Sequence, residues 1–448
     1  MGWWIAALAG CVDDAGGPAA PAPNVLLVVL DDVGVDRFAL WNPLGGPLGA
    51  DPAAYPATPA LDALAARGVR FDAAYAMPEC SPARATLLTG RYPWRHGVGS
   101  ALTFDDPGGL PDDELLLPEL LADHAPEAWT TGWFGKWHLA TFETGPWDAP
   151  VRQGFDHYAG SLGNLYLRYT SEAVPQDYFR WEKDTDGELA WTDAYATTDT
   201  VDDAIAAVTD WPSPWLVGVG LNAAHDPFHN PPDGLTSGVA RGETGPLQKY
   251  HAMIESADHE LGRLLDQVDD DTVVIVIGDN GPPAGMVVGD EDPLLAKGTV
   301  GELGLRVPLV IAGPGAAEGA VYPGLVSIAD LFATVAALAD AEIPEALGAE
   351  LDAVDLGPAL RDPTGPAVRD TVFAETFSPS GPPPHADGHQ QMVRDLRFKL
   401  IHTTTEGDHL YDLGDRPAEG EDLLASPLAP EAAAAYDRLT AALPDDAR

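Results

Sequence analysis

Apolar residues along this chain fall into short, unbroken runs that stop at acidic or glycine-containing turns. Residues 24–30, Asn-Val-Leu-Leu-Val-Val-Leu, end at Asp31-Asp32-Val33-Gly34. Residues 272–277, Thr-Val-Val-Ile-Val-Ile, run into Gly278-Asp279-Asn280-Gly281. Runs without polar alternation suit parallel strands buried on both faces. Residues 68–76, 128–134, 214–220 and 307–312 predict further core strands. Between them the period becomes helical. Thr58-Pro59 opens an amphipathic segment with leucines at 61 and 64, and residues 246–267 carry apolar residues at 250, 253, 254, 257, 261 and 264. Residues 328–339 predict another helix.

This alternation predicts an α/β fold with a mostly parallel central sheet flanked by helices. Ligands of such sheets bind outside the carboxyl ends of the strands. The two acidic turns sit at such ends, so they are expected to meet in space. After about residue 365 the runs shorten to 371–376, 391–394, 397–402 and 409–411, with a helix over 430–442. That pattern predicts a small C-terminal antiparallel α+β subdomain. The expected division is a leader and tether over 1–23, a main domain over 24–365 and the subdomain over 366–448. Gly-Pro-rich stretches at 42–52 and 378–388 read as loops.

The length of 448 residues and a hydrophobic content of 45% accommodate a large buried core. The formal net charge of -46 argues against a nucleic-acid partner, because phosphate binding needs a basic face. The acidity is dispersed, as on a solvated surface of a salt-adapted or extracytoplasmic protein. Lysine is scarce, with Lys136, Lys183, Lys249, Lys297 and Lys399 as the full set. Any anion bound by such a chain needs positive charge concentrated locally.

Leu8-Ala9-Gly10-Cys11 resembles a bacterial lipobox, followed by a small-residue and proline tether. The expectation is a protein of the bacterial cell envelope, periplasmic or on the outer surface, with a lipid at Cys11 attaching it to the membrane. No later segment has about 20 consecutive apolar residues, as a spanning helix would require.

Four oxygen donors, Asp31, Asp32, Asp279 and Asn280, placed on two strand ends suit Ca²⁺ or Mg²⁺. A strand-end Asp-Asp alone is more often a turn or helix cap; the second cluster shifts the balance towards a metal. Cys80 is one of two cysteines, so no disulfide framework accounts for it. It stands before a helix-like segment and four residues from Arg84, where negative charge on sulfur is favoured.

The run Cys80-Ser81-Pro82-Ala83-Arg84, continued by Leu88-Thr89-Gly90-Arg91, resembles the signature of the type I sulfatases of the alkaline phosphatase superfamily. Gly135-Lys136-Trp137-His138-Leu139 resembles that family's second signature. His225-Asp226-Pro227-Phe228 is similar to its H-x-P-F/H segment, and His225 rather than His229 aligns with the first position. Lys297 followed by Glu302-Leu303-Gly304-Leu305-Arg306-Val307-Pro308 resembles its lysine and E-G-G-x-R-V-P segment, with Leu303 replacing a glycine. The run Arg394 to Ile401 and then Leu410-Tyr411-Asp412-Leu413 is similar to its closing hairpin.

The resemblance implies an alkaline-phosphatase-like fold whose main domain hydrolyses sulfate monoesters. It implies that a formylglycine-generating system oxidises Cys80 to formylglycine, whose hydrate attacks sulfur and then expels sulfate. It implies that calcium, with magnesium as the alternative, is held by Asp31, Asp32, Asp279, Asn280 and the modified Cys80, while Asp36 does not match. Arg84 would hold the hydrate, Lys136 and Lys297 would bind sulfate oxygens, His225 would protonate the leaving oxygen and His138 would take the proton on collapse. The substrate would be a sulfated small molecule or glycan. Arg152, His157 and Asn164 are candidates for contacting it. Competing readings are a phosphonate or phosphate ester hydrolase of the same superfamily, and a silent lipid-anchored binding protein if Cys80 is never oxidised.

Overall fold

The computed structural model describes residues 21–42, 48–49, 51–166, 176–237, 245–381, 388–414 and 418–444. Cys11 and its lipobox lie outside the described residues.

The strands, in chain order, are β1 (Asn24–Leu30), β2 (Gly68–Tyr75), β3 (Thr130–Gly135), β4 (His157–Gly160), β5 (Trp181–Thr185), β6 (Glu188–Thr192) and β7 (Trp215–Gly220). They continue as β8 (Thr272–Gly278), β9 (Leu309–Ala312), β10 (Ala320–Ser327), β11 (Val372–Thr376), β12 (Gln390–Arg394), β13 (Phe398–Thr403) and β14 (Gly407–Asp412). The first ten form one sheet in the order β10-β2-β9-β8-β1-β7-β3-β4-β5-β6. β5 and β9 run against the other eight, so the sheet is mostly parallel. The last four form a separate antiparallel sheet in sequential order.

Strand periodicity sorts the core into two layers. Val25, Leu27 and Val29 of β1 point into one apolar layer, and Leu26, Val28 and Leu30 into the other. The second layer is closed by the helices Pro59–Arg67, Ala196–Asp210 and Pro246–Leu265, through Leu61, Val201, Met253 and Leu261 among others. The first is closed by the helices Cys80–Thr89 and Asp330–Leu338 and by the small sheet, whose Phe373, Met392 and Leu400 join the same layer. A buried ionic knot reinforces that junction. Glu302 accepts from Tyr75 Oη at 2.7 Å, Arg394 Nη1 at 2.9 Å and Lys399 Nζ at 3.1 Å.

The register brings the two acidic turns together. β1 pairs with β8 so that Leu30 lies opposite Gly278, which places Asp31 beside Asp279. On the other flank β3 and β7 pair with Gly135 opposite Gly220, so Lys136 leaves the sheet at the same edge.

Candidate active site

Cys80 is the first residue of the helix Cys80–Thr89, and Arg84 follows one turn later on the same face. Both are fully buried. The helix ends where Gly90 adopts a left-handed conformation, φ 67°, which glycine takes at no steric cost. Arg84 donates from Nε and Nη2 to Asp279 Oδ2 at 3.2 and 2.9 Å, and from Nη1 to the Lys136 carbonyl at 2.7 Å. Gly220 makes room for this fork: a Cβ there would lie 2.7 Å from Arg84 Nη1 and 2.5 Å from the Lys136 carbonyl oxygen.

Three carboxylates face three cations. Lys136 Nζ donates to Asp31 Oδ2 at 2.5 Å, Lys297 Nζ lies 2.5 Å from Asp32 Oδ1, and Arg84 holds Asp279. Burial works against the charge of Lys136 and Lys297, yet their carboxylate partners hold both ammonium groups above the usual lysine range. Burial raises the Asp31 carboxyl, but Lys136, His225 and Arg84 outweigh it and hold the group well below the usual carboxylate range. Asp279 goes the other way, pushed up to about 7 by burial and by Asp31.

One oxygen each of Asp31, Asp32 and Asp279 can be chosen within 4.8 Å of one another. Asp31 Oδ1 and Asn280 Oδ1 are buried and lack any hydrogen-bond partner. Unpaired buried oxygens of this kind are costly unless something electropositive meets them. The donor set is all oxygen, which fits a hard divalent cation. Asn280 Nδ2 is already turned away, donating to Asp32 Oδ1 at 2.8 Å, which leaves its oxygen for that role. Asp36 is paired with Arg37 and lies outside the cluster.

Asp32 and His138 adopt left-handed backbone conformations, φ 60° and 66°. Non-glycine residues pay about 1–3 kcal/mol for such conformations, and they persist where the surroundings fix them. Tyr250 Oη donates to the Asp32 carbonyl at 2.6 Å. His138 is held through its ring. Nε2 lies 2.7 Å from the Leu102 carbonyl, which can only accept, so Nε2 carries the hydrogen. Nδ1 is then bare, 3.2 Å from Cys80 Sγ. Burial, joined by Lys136 and Arg84, keeps this imidazole neutral, far below its ordinary pKa.

His225 is oriented in the same way. Nδ1 donates to the Asp226 carbonyl at 2.9 Å, while Nε2 lies 3.8 Å from Asp32 Oδ2. The Tyr178 hydroxyl donates to the His225 carbonyl at 2.8 Å. His229 is engaged elsewhere, between Tyr195 Oη at 3.0 Å and the Pro227 carbonyl at 2.9 Å.

Cys80, Arg84, Lys136, His138, His225, Lys297, Asp31, Asp32, Asp279 and Asn280 therefore converge on one buried site at the carboxyl edge of the sheet. One expectation needs correction. The helix start and Arg84 were expected to favour a thiolate at Cys80, but burial outweighs the lysines and pushes the thiol up to about 11. Two substrate candidates lie elsewhere. Arg152 is engaged by Asp112 and by the Thr144 and Gly145 carbonyls, and His157 stands at the amino end of β4 beside Asp186. Asn164 does border the site, through Tyr166. The contributions of Tyr178, Tyr250 and Gly220 were not read from the sequence. Each sits in an ordinary apolar or turn context, and its partner is distant in the chain.

The family model described as Sulfatase matches residues 23–341. Arylsulfatase A of Bos taurus is 32% identical over 95% of this chain and 88% of its own length. Arylsulfatase G of Rattus norvegicus is 30% identical, over 87% of this chain and 77% of its own length. N-acetylgalactosamine-6-sulfatase of Homo sapiens is 32% identical over 77% and 67% respectively. Among solved structures, Ps i-CgsB in complex with k-i-k-neocarrahexaose superposes with a TM-score of 0.72 at 23% identity, covering 90% of this chain and 89% of that one. A protein solved with its substrate D-glucosamine-2-N,6-O-disulfate gives a TM-score of 0.69 at 20% identity, covering 94% and 97%. These two likenesses bear on the fold alone.

Proposed function

The chain belongs to the sulfatase family and is a sulfuric ester hydrolase, and we propose that it works through a formylglycine made from Cys80 and a bound divalent cation. The observation that carries this reading is the pairing of a buried cysteine with three carboxylates, three cations and two orphaned oxygens in one site. Asp31, Asp32, Asp279, Asn280 and the oxidised residue 80 would hold the ion, with calcium favoured and magnesium the alternative. The cation would supply fixed positive charge beside the nucleophile. Hydrated formylglycine would supply two hydroxyls on one carbon, one to attack sulfur and one through which sulfate is expelled.

The protein's own groups account for the rest. Arg84 is locked by Asp279 and by the Lys136 carbonyl, so it offers positive charge to residue 80 without reorganising. Lys136 and Lys297 lie within electrostatic reach of residue 80 and would take the sulfate oxygens. Lys297 keeps 16% of its side chain exposed, so an entering ester would be able to reach it. His138 Nδ1 is bare and aimed at residue 80, the arrangement of a base that removes a proton from a hydroxyl there. His225 would give a proton at Nε2 to the leaving oxygen. Burial holds this imidazole below its ordinary pKa, with Asp32 working in the opposite direction, so the proton has to be gained as the ester enters.

The substrate we infer is a sulfate ester of a small molecule or a glycan, since relatives include arylsulfatases and an N-acetylgalactosamine-6-sulfatase. Lipid attachment at Cys11, which would place the enzyme in the cell envelope, is part of the same proposal. Cys11→Ser should then release the protein into the soluble fraction; a wild type already soluble would overturn it.

The decisive test is intact-mass analysis of the peptide containing residue 80, with parallel assays on 4-nitrophenyl sulfate and a nitrophenyl phosphodiester. Formylglycine together with preferential sulfate release supports the proposal. An unmodified cysteine in the protein from its native host points to a silent binding protein. Faster phosphodiester cleavage points to the phosphate or phosphonate hydrolase.

A further inference from the structure

Tyr166 stands at the mouth of the site with no role in the chemistry above. Its ring stacks on His225, with centroids 5.9 Å apart and planes 28° from parallel. Its hydroxyl accepts from Asn164 Nδ2 at 3.2 Å, and Asn164 is itself buried. The ring is thus fixed at both ends, yet Tyr166 remains 45% exposed. The segment that carries it is tied to the Lys136–His138 motif: Trp137 N donates to the Ser161 carbonyl at 2.9 Å, and His138 N donates to the Leu162 carbonyl at 3.0 Å. The charges of Lys136 and Lys297 both reach the Tyr166 hydroxyl. Tyr166 therefore lies against the leaving-oxygen histidine, with Lys136 and Lys297 within electrostatic range of its hydroxyl.

A tyrosine needed only to steady His225 would be buried against it. His225 is already oriented by the Asp226 carbonyl through its ring and by Tyr178 Oη through its backbone. Nearly half of Tyr166 is instead left open to solvent, beside the place where the alcohol of the ester must lie. An aromatic ring held rigid before the ligand arrives loses little freedom on stacking.

We propose that Tyr166, set by Asn164, is the platform on which the ring of the ester alcohol lies, and so the residue that sets this enzyme's affinity for the ring-borne part of its substrate. This inference rests on the sulfatase reading and adds a specificity-determining residue to it. Offset stacking and the apolar area it buries together correspond to on the order of a tenfold effect on affinity.

The test compares wild type, Tyr166→Phe and Tyr166→Ala on 4-nitrophenyl sulfate and hexyl sulfate, with inhibition by inorganic sulfate measured alongside. Tyr166→Ala is expected to raise KM for the aryl ester about tenfold, with kcat, hexyl sulfate turnover and inhibition by sulfate little changed. Tyr166→Phe, which keeps the ring, should stay within about threefold of wild type. An equal loss on both esters, seated in kcat, would overturn the proposal and make Tyr166 a positioning residue for His225. No loss on either ester would overturn it as well. A wild type that releases sulfate from neither ester, nor from N-acetylgalactosamine 6-sulfate assayed in parallel, would defeat the hydrolase reading and this inference with it. An active wild type with a ring-independent loss defeats this inference alone.

Discussion

Replacing Lys136 with methionine separates the pairing with Asp31 that the structure shows from the sulfate binding proposed for the same side chain. Lys136 Nζ sits 2.5 Å from Asp31 Oδ2, and both side chains are fully buried. Once the ammonium is gone, the nearest cation to Asp31 Oδ2 among the described residues is Arg84, at 4.0 Å, and Arg84 is already committed to Asp279. Asp31 Oδ1 has no partner to begin with. Breaking a buried pair by removing one member costs about 3–5 kcal/mol, because the remaining charge is stranded. Unfolding entropy scales at about 2.1 cal/mol/K per residue, or about 0.9 kcal/mol/K for a chain of this length. The cation-free Lys136→Met protein should therefore melt about 3–5 °C below cation-free wild type. A bound divalent cation supplies Asp31 with positive charge again, so saturating calcium should narrow the gap in melting temperature. It should not restore turnover. Loss of one preorganised charge-stabilising donor costs about 3–4 kcal/mol of transition-state stabilisation, a drop in kcat of about 10²–10³. Thermal scans in chelator and in calcium, paired with steady-state kinetics, give both readings. An unchanged melting temperature in chelator would refute the buried-pair argument. A kcat within threefold of wild type would refute the placement of Lys136 on the reacting sulfate.

Exhaustive chelation should abolish sulfate release, and calcium or magnesium should restore it; full activity in metal-free protein, verified by elemental analysis, would remove the cation from the scheme. Cys80→Ser keeps one hydroxyl where formylglycine hydrate has two, so it should lose turnover and accumulate a sulfated serine at position 80, detectable by mass spectrometry after incubation with a reactive aryl sulfate. Sustained multiple turnover by that variant would contradict the double role of the hydrate. The Glu302 carboxyl is held down to about 2 because Lys399 and Arg394 outweigh its burial. A depressed carboxylate stabilises the fold above its unfolded pKa of 4.5, and that contribution is lost as pH falls through about 2. Glu302→Gln should thus lose about 3 kcal/mol at pH 7, with its denaturation curve converging on wild type near pH 2; parallel curves at all pH would refute the linkage.

The parts of this molecule that the sequence made legible are those in which one local property suffices. β1 and β8 are buried on both faces, so their composition alone marks them, and their shared register carries Asp31 to Asp279. β9 lay near its predicted place, but its antiparallel direction depends on the connection between strands, which no residue pattern records. β10 escaped notice because Pro323 and Gly324 interrupt it at a register shift between Tyr322 and Leu325. β5 and β6 escaped because an edge hairpin keeps charged and half-exposed residues. The helix Ala196–Asp210 buries mainly small residues, a weak signal of amphipathicity.

The same division runs through the site. The residues that meet at the site could be read because the motifs are contiguous, whereas the state of each group could not, because it is set by neighbours from other elements. Cys80 shows the difference: local sequence offers a helix start and an arginine, while the fold seals the thiol in and raises its pKa. Three cations against three carboxylates leave this buried site near neutrality. Such a site can take up a divalent cation and a sulfate dianion together with little net change in buried charge. Either charge entering alone meets a larger desolvation penalty. Cation and anion should therefore bind with positive coupling, so that inorganic sulfate tightens calcium binding and calcium tightens sulfate binding by the same factor. Calorimetric titration of each in the presence and absence of the other measures that factor. Independent binding, with a factor of one, would show that the balance of charge around Asp31, Asp32 and Asp279 does not govern what the site accepts.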